Sequence, residues 1–411
     1  GSIHRRAHHQ AATASLALGE FAEAVSFCKA ALEIKPDYLD ALISVGHANL
    51  ALNQLDEAEK EFKRFLEIAA NYSEHTETNT LIIIHLNSRD NALYNLGKIQ
   101  EARERWSEAL KHYAQAQRLS EPYLDCHARL GWCEYRLGSY ESAQKHFKAQ
   151  IEADPKLDSA HMGLAGLAID AAQADRAEAI LRNGISLASD TRLLSGRLAE
   201  LLIKHGRTEE GLAITEQALT SYPEFGPLLA VRGNALNALG RFEEAVESFQ
   251  RSEELKSGMA MTALGLANAL LSLERNQEAV TWFKLALGRD PYSALARRNL
   301  AIALIRVGEL VASEEHLRSY LEVATDDRQA RFILAALLFE LNRPLESVAI
   351  YETLLREDPS DQEALLALSD CYAATGSIDS AGAGYRRLLQ MNPAHPLAAE
   401  RLSILSGAGG S

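Results

Sequence analysis

Along this chain apolar and small residues return at an interval of 34. The pairs Leu96-Gly97, Leu130-Gly131, Leu164-Ala165, Leu198-Ala199, Arg232-Gly233, Leu266-Ala267, Leu300-Ala301, Leu334-Ala335 and Leu368-Ser369 hold one register across nine copies. Twelve places after each small residue comes a second small column: Ala109, Ala143, Ala177, Gly211, Ala245, Ala279, Ser313, Ser347 and Ala381. Four further on stands a bulky column, with Tyr113, Phe147, Leu181, Thr215, Phe249, Phe283, Leu317, Tyr351 and Tyr385. Eight beyond that is a breaker column containing Pro155, Pro223, Pro291, Pro359 and Pro393. Each copy therefore predicts two amphipathic helices. The small residues let the helices approach closely, and proline, which lacks an N–H and clashes with the preceding turn, ends the second.

Two earlier copies are carried by Ala24, Cys28 and Pro36 and by Val45-Gly46, Ala58 and Phe62, which makes eleven. From Gly46 to Gly97 the step is 51, one period and 17 more, so Ser73 to Arg89 reads as an insertion. A rival register would align Leu96-Gly97 with Leu18-Gly19 and Leu239-Gly240, but it puts Arg89 and Asp90 in the Leu-Gly column and is rejected. Within the insertion, Leu81, Ile82, Ile83, Ile84 and Leu86 are too apolar for a solvated loop tip, and Thr78 or Asn79 can cap a helix. The expectation is a helix beginning near Thr80 and running toward Arg103, whose apolar face meets either the second copy or another chain. A strand, which the isoleucines favour, has no partner in such an array. The resulting division is 1–4, a vector-derived start and N-terminal extension; 5–72, repeats 1–2; 73–89, the insertion; 90–395, repeats 3–11; 396–406, a capping helix; and 407–411, a tail. Further native sequence is expected upstream.

The spacing resembles that of the tetratricopeptide repeat family, W-x2-L-G-x2-Y…A-x3-F…P at period 34, from Arg5 to His395. The family's Trp column is nowhere Trp: His8, Leu42, Leu93, His127 and His161 stand there. The resemblance implies an all-α fold, a tetratricopeptide-like α-solenoid of about eleven helix-turn-helix repeats in a right-handed superhelix. Each repeat would bury its apolar stripe only against its neighbours.

Charge and chemistry narrow the function. A net charge of -14 argues against a nucleic-acid binder and against attraction to an anionic membrane. The most apolar short run, Leu81 to Leu86, is far below the roughly 18 residues that span a bilayer. Cys126 and Cys133, seven apart on a helix, stand about 10 Å from each other, too far for a disulfide. With Cys28 and Cys371 they read as free thiols in a reducing, cytoplasmic setting. No phosphate-cradling, dinucleotide, nucleophile-elbow, zinc-protease or Cys-x-x-Cys motif occurs, so neither catalysis nor a cofactor is expected. His4 and His8 at i, i+4 lack a third metal ligand, and His127 and His161 occupy a packing column. Glu243-Glu244 and Glu314-Glu315 read as solvated charge.

In the family, ligands lie along a concave wall formed by places 2, 5, 6, 9, 12 and 13 of the first helices. Carried over, these places hold Arg129, Trp132, Tyr135 and Arg136 in the fourth copy, residue types that dominate binding hot spots. The competing reading has Trp132 filling a gap between helices. In the seventh to tenth copies the wall includes Asn234, Asn237, Leu264, Asn268, Leu271, Arg298, Asn299, Ile302, Ile305, Arg306, Phe332, Ile333 and Phe339. The asparagines can donate to and accept from a peptide backbone, while the apolar members form either pockets or interhelix core. The family's carboxylate clamp is incomplete, because Leu264, Gln329 and Ile333 replace its cations although Asn268 and Asn299 match. These features point to a non-catalytic scaffold that binds a protein or peptide segment. The alternatives are the substrate-recruiting arm of a larger enzyme such as a transferase, and a self-assembling rod or homo-oligomer joined through 73–89.

Overall fold

The computed structural model describes the backbone of residues 2–72, 79–119, 125–256 and 259–408, and the side chains of 3–70, 89–117, 125–256 and 259–407. Among these residues there are 23 α-helices and no strand. Two compact units divide at Leu201–Leu202. The first contains α1 (Ser2–Leu18), α2 (Phe21–Ile34), α3 (Leu39–Ala51), α4 (Leu55–Tyr72), α5 (Asn79–Ala102), α6 (Trp106–Leu119), α7 (Cys126–Arg136), α8 (Tyr140–Ala153), α9 (Asp158–Asp170) and α10 (Ala174–Leu187). The division falls within α11 (Arg192–Lys204). The second contains α12 (Thr208–Ser221), α13 (Gly226–Ala238), α14 (Phe242–Glu254), α15 (Ala260–Ser272), α16 (Asn276–Arg289), α17 (Ala294–Arg306), α18 (Leu310–Leu321), α19 (Arg328–Glu340), α20 (Pro344–Glu357), α21 (Gln362–Ala374), α22 (Ile378–Met391) and α23 (Pro396–Ala408).

The turn within each copy has one backbone solution. Gly138, after α7, has φ +78°, and the bonds Gly138 N–H to Tyr135 O and Ser139 N–H to Glu134 O close the helix end. This is the left-handed termination that glycine adopts without strain. The same left-handed residue recurs at Gly19, Asn53, Glu104 and Ala172 in the first unit, and at Gly206, Gly240, Glu274, Gly308, Asn342 and Gly376 in the second. Gly97, by contrast, lies inside α5, which settles the register against the rival alignment.

Packing within a copy is a ring seated on a small residue. A β-carbon added at Gly97 would stand 2.6 Å from the Tyr113 ring, and one at Gly131 would stand 2.7 Å from Phe147. In the second unit the same relation joins Gly233 to Phe249 at 2.7 Å. The bulky column is fully buried from Phe62 to Tyr385, and the second small column is equally buried. Where that column holds serine, its hydroxyl finds a partner: Ser313 donates to the Ala301 carbonyl (2.8 Å) and Ser347 to the Ala335 carbonyl (2.7 Å). Three first helices of the second unit start under side-chain caps one period apart, with Ser293, Asp327 and Asp361 accepting from the N–H of Ala296, Ala330 and Ala364.

Helices adjacent in sequence pack together within each unit. The first helices of successive copies also touch one another, α1 with α3, α3 with α5 and α7 with α9, then α13 with α15, α15 with α17 and α19 with α21. Second helices show no comparable packing among the described residues. First helices therefore form the closer layer of each unit, and side chains on their outward face stand side by side. α5 is the longest helix, 24 residues, and takes in the backbone of the apolar run Leu81–Leu86. The side chains of that run, and residues 73–78, lie outside the described residues.

Candidate protein-binding surfaces

In the first unit, α7 carries Arg129, Trp132, Tyr135 and Arg136, and the structure separates them. Arg129 is half-buried; its Nη1 donates to Glu101 (3.0 Å) and its Nε to Asp125 (3.0 Å). The same carboxylates accept from tyrosines, Glu101 from Tyr113 (2.6 Å) and Asp125 from Tyr94 (2.8 Å). Burial works against the charged guanidinium, but Glu101, Tyr113, Tyr94 and Asp125 outweigh it and hold Arg129 charged more firmly than a free arginine. Trp132 is half-buried and meets Phe147 and Tyr135 edge-on, with ring centres 5.4 and 5.6 Å apart. Tyr135 donates to Asp170 on α9, and Arg136 lies over the Trp106 ring of α6 at 4.8 Å. Arg129 and Trp132 share a cleft of about 380 Å³ lined by Glu101, Asp125, Ala128, Arg129, Trp132, Leu157, Asp158 and Ser159. Its carboxylates were not singled out from the sequence. Glu101 and Asp125 occupy wall places 12 and 2, so the same rule that picked out Arg129 could have found them.

The four cysteines are free and buried. Burial pushes the thiols of Cys28 and Cys133 up to about 12 and that of Cys126 to about 11, so they pack as small apolar groups. His161 is buried with Nε2 3.0 Å from the Pro155 carbonyl, and His127 lies against His146. No cluster of three metal-binding side chains occurs among the described residues, and no helix among them is long and apolar enough to cross a membrane.

In the second unit, the wall residues bond across successive first helices. Asn237 of α13 donates to the Gly265 carbonyl of α15 (2.9 Å), and Asn299 of α17 donates to Asn268 Oδ1 of α15 (2.8 Å). Arg306 donates to the Leu271 carbonyl (3.0 Å), and Arg298 to Gln329 Oε1 (2.8 Å). Asn234 and Ile302 are half-buried, and Phe332 stacks edge-on with Tyr351 at 5.2 Å. Phe339 remains 36% exposed, and on the preceding first helices Met261 is 68% and Leu295 51% exposed. The Asn268 and Asn299 amides thus first serve the junction between repeats.

Repeating helical pairs whose first helices line up bondable amides and exposed apolar groups define a protein-interaction scaffold. The chain belongs to the tetratricopeptide repeat family: family patterns described as tetratricopeptide repeat match residues 15–76, 91–156, 197–260, 259–294, 298–361 and 334–396. It is similar to Hsp70-Hsp90 organizing protein 1 of Glycine max, 21% identical over 254 residues, or 59% of this chain and 43% of that protein. It is also similar to the N-terminal acetyltransferase A complex auxiliary subunit NAA15 of Arabidopsis thaliana, 24% identical over 217 residues, or 50% of this chain and 24% of that protein. The chain thus spans less than half the length of these relatives. Among solved structures, YrrB, a tetratricopeptide protein with an unusual peptide-binding site, shares 20% identity with a TM-score of 0.43, covering 46% of this chain and 96% of its own.

Proposed function

We propose that this chain is a non-catalytic scaffold that holds an extended segment of a partner protein against the first helices of the second unit, α13 to α19. The observations that support the reading are that three successive first helices carry exposed apolar side chains, Met261, Leu295 and Phe339, and that the Asn268–Asn299 pair bridges two of those helices. Apolar groups arranged in series take up side chains of a bound segment. Amides that both donate and accept take up its backbone, each bond contributing about 0.5–1.5 kcal/mol net. The test is affinity capture with the intact chain and with a Met261→Asp, Leu295→Asp variant, Val323→Asp serving as an exposed control elsewhere. Partners held by the parent and the control but lost from the double variant support the groove; an unchanged set of partners rejects it.

A further inference from the structure

The cleft of the first unit has a charge balance and a shape that the groove reading does not use. It holds three carboxylates, Glu101, Asp125 and Asp158, and one guanidinium, that of Arg129, already divided between the first two. Asp158, the first residue of α9, makes no ion pair among the described residues; burial and the neighbouring Asp190 raise its carboxyl above the usual range, against the backbone N–H groups of Ser159 and of Asp158 itself and, after them, Arg192. Arg192 is itself paired with Asp190 at 2.7 Å. The cleft is therefore short of positive charge by about two, and Trp132 is among the residues that line it.

The geometry points to an arginine side chain of a partner segment as the occupant of this cleft. This rests on the reading of the chain as a protein-binding scaffold, at a place other than the groove of the second unit. A guanidinium suits both kinds of lining residue at once: its planar face stacks on an indole and its edge forks onto carboxylates, whereas an ammonium offers a point charge. The protein uses both contacts itself. Arg136 lies over Trp106 at 4.8 Å and Arg5 over Tyr38 at 4.8 Å, while Arg129 forks between Glu101 and Asp125. Volume permits it, since about 380 Å³ exceeds what one arginine side chain fills and leaves room for flanking backbone. An acidic segment is excluded by the same carboxylates.

Calorimetry with a 15-residue Gly/Ser-rich peptide carrying three arginines, and with its citrulline counterpart, tests the assignment. The arginine peptide binds and the citrulline peptide does not. Asp158→Asn and Trp132→Ala each weaken binding by about tenfold or more, the loss of one desolvated cation contact. Trp132→Phe retains most of the affinity, which separates loss of the aromatic face from a packing defect against Phe147. Glu209→Gln, which removes one exposed negative charge from the second unit, changes affinity by less than about threefold. Three results overturn the proposal: no binding of the arginine peptide, equal binding of the citrulline peptide, or a Glu209→Gln effect as large as that of Asp158→Asn, which would mean diffuse attraction to an acidic protein. Any of these, found while capture through Met261 and Leu295 persists, removes the arginine cleft and leaves the scaffold; loss of that capture with the peptide still bound removes the groove alone.

Discussion

A β-carbon added at Gly163 would stand 2.3 Å from the ring of Phe147, the aromatic of the preceding copy. Phe147 is also seated on Gly131 of its own copy, so the ring is held between two glycine surfaces and is wholly buried. Phe249 repeats the arrangement between Gly233 and Gly265. The contact that closes one copy is thus also the contact that joins it to the next.

Gly163→Ala should therefore destabilise the first unit by about 2 kcal/mol. The overlap with a ring that cannot move outweighs the gain of about 1 kcal/mol in helix propensity. Gly288→Ala supplies the opposite sign, because that glycine is exposed on α16 and an added β-carbon meets nothing within 4 Å. Urea denaturation of both variants checks the pair; equal shifts would show that propensity rather than packing governs Gly163.

The turns allow a stabilising change. Ala172 has φ +56° and is exposed, so its side chain bears the left-handed strain of about 1–2 kcal/mol without packing in return. Ala172→Gly should gain about 1 kcal/mol, and Gly240→Ala, at φ +72°, should lose a similar amount. Melting temperatures that move the other way would mean that flexibility of the unfolded chain dominates at these turns.

The fold was legible because each column of the pattern is a physical contact: glycine opposite a ring, serine opposite a carbonyl, proline at a helix end. The left-handed turn was less visible, since Glu104, Ala172 and Glu274 occupy it as well as glycine and asparagine. The candidate site was legible by position only. Place numbers mark Asn268 and Asn299 but not that they bond each other, and mark Arg129, Glu101 and Asp125 but not that the two carboxylates engage the guanidinium. Those pairings run between copies or to interrepeat loops, where a periodic pattern carries no information about partners.

Acid should destabilise the protein before its carboxylates titrate. Burial lowers the pKa of His47, His112, His127 and His316, and His127 has in addition His146 with Nδ1 only 3.2 Å away. The unfolded chain takes up these protons near pH 6.5 while the fold still refuses them, so stability is full above about pH 7 and falls as pH drops below 6.5. Urea midpoints at pH 7.5 and 5.5 measure the slope, and His127→Gln should flatten part of it. A midpoint that rises on acidification contradicts the sign.

The final prediction concerns the Arg129 junction, which joins α5, α7 and the loop before α7. Removing the guanidinium leaves Glu101 and Asp125 half-buried with only tyrosine donors, so Arg129→Ala should cost about 1–3 kcal/mol, below the figure for a fully buried pair because all three groups keep some solvent. The cost should depend on the carboxylate: in a Glu101→Gln background the same substitution should be cheaper by about 0.5 kcal/mol or more, since Glu101 no longer carries an uncompensated charge. A double-mutant cycle by urea denaturation resolves this. Strict additivity would show that the Arg129–Glu101 pair contributes nothing measurable and that Arg129 stabilises through its pairing with Asp125 or the packing of its alkyl chain.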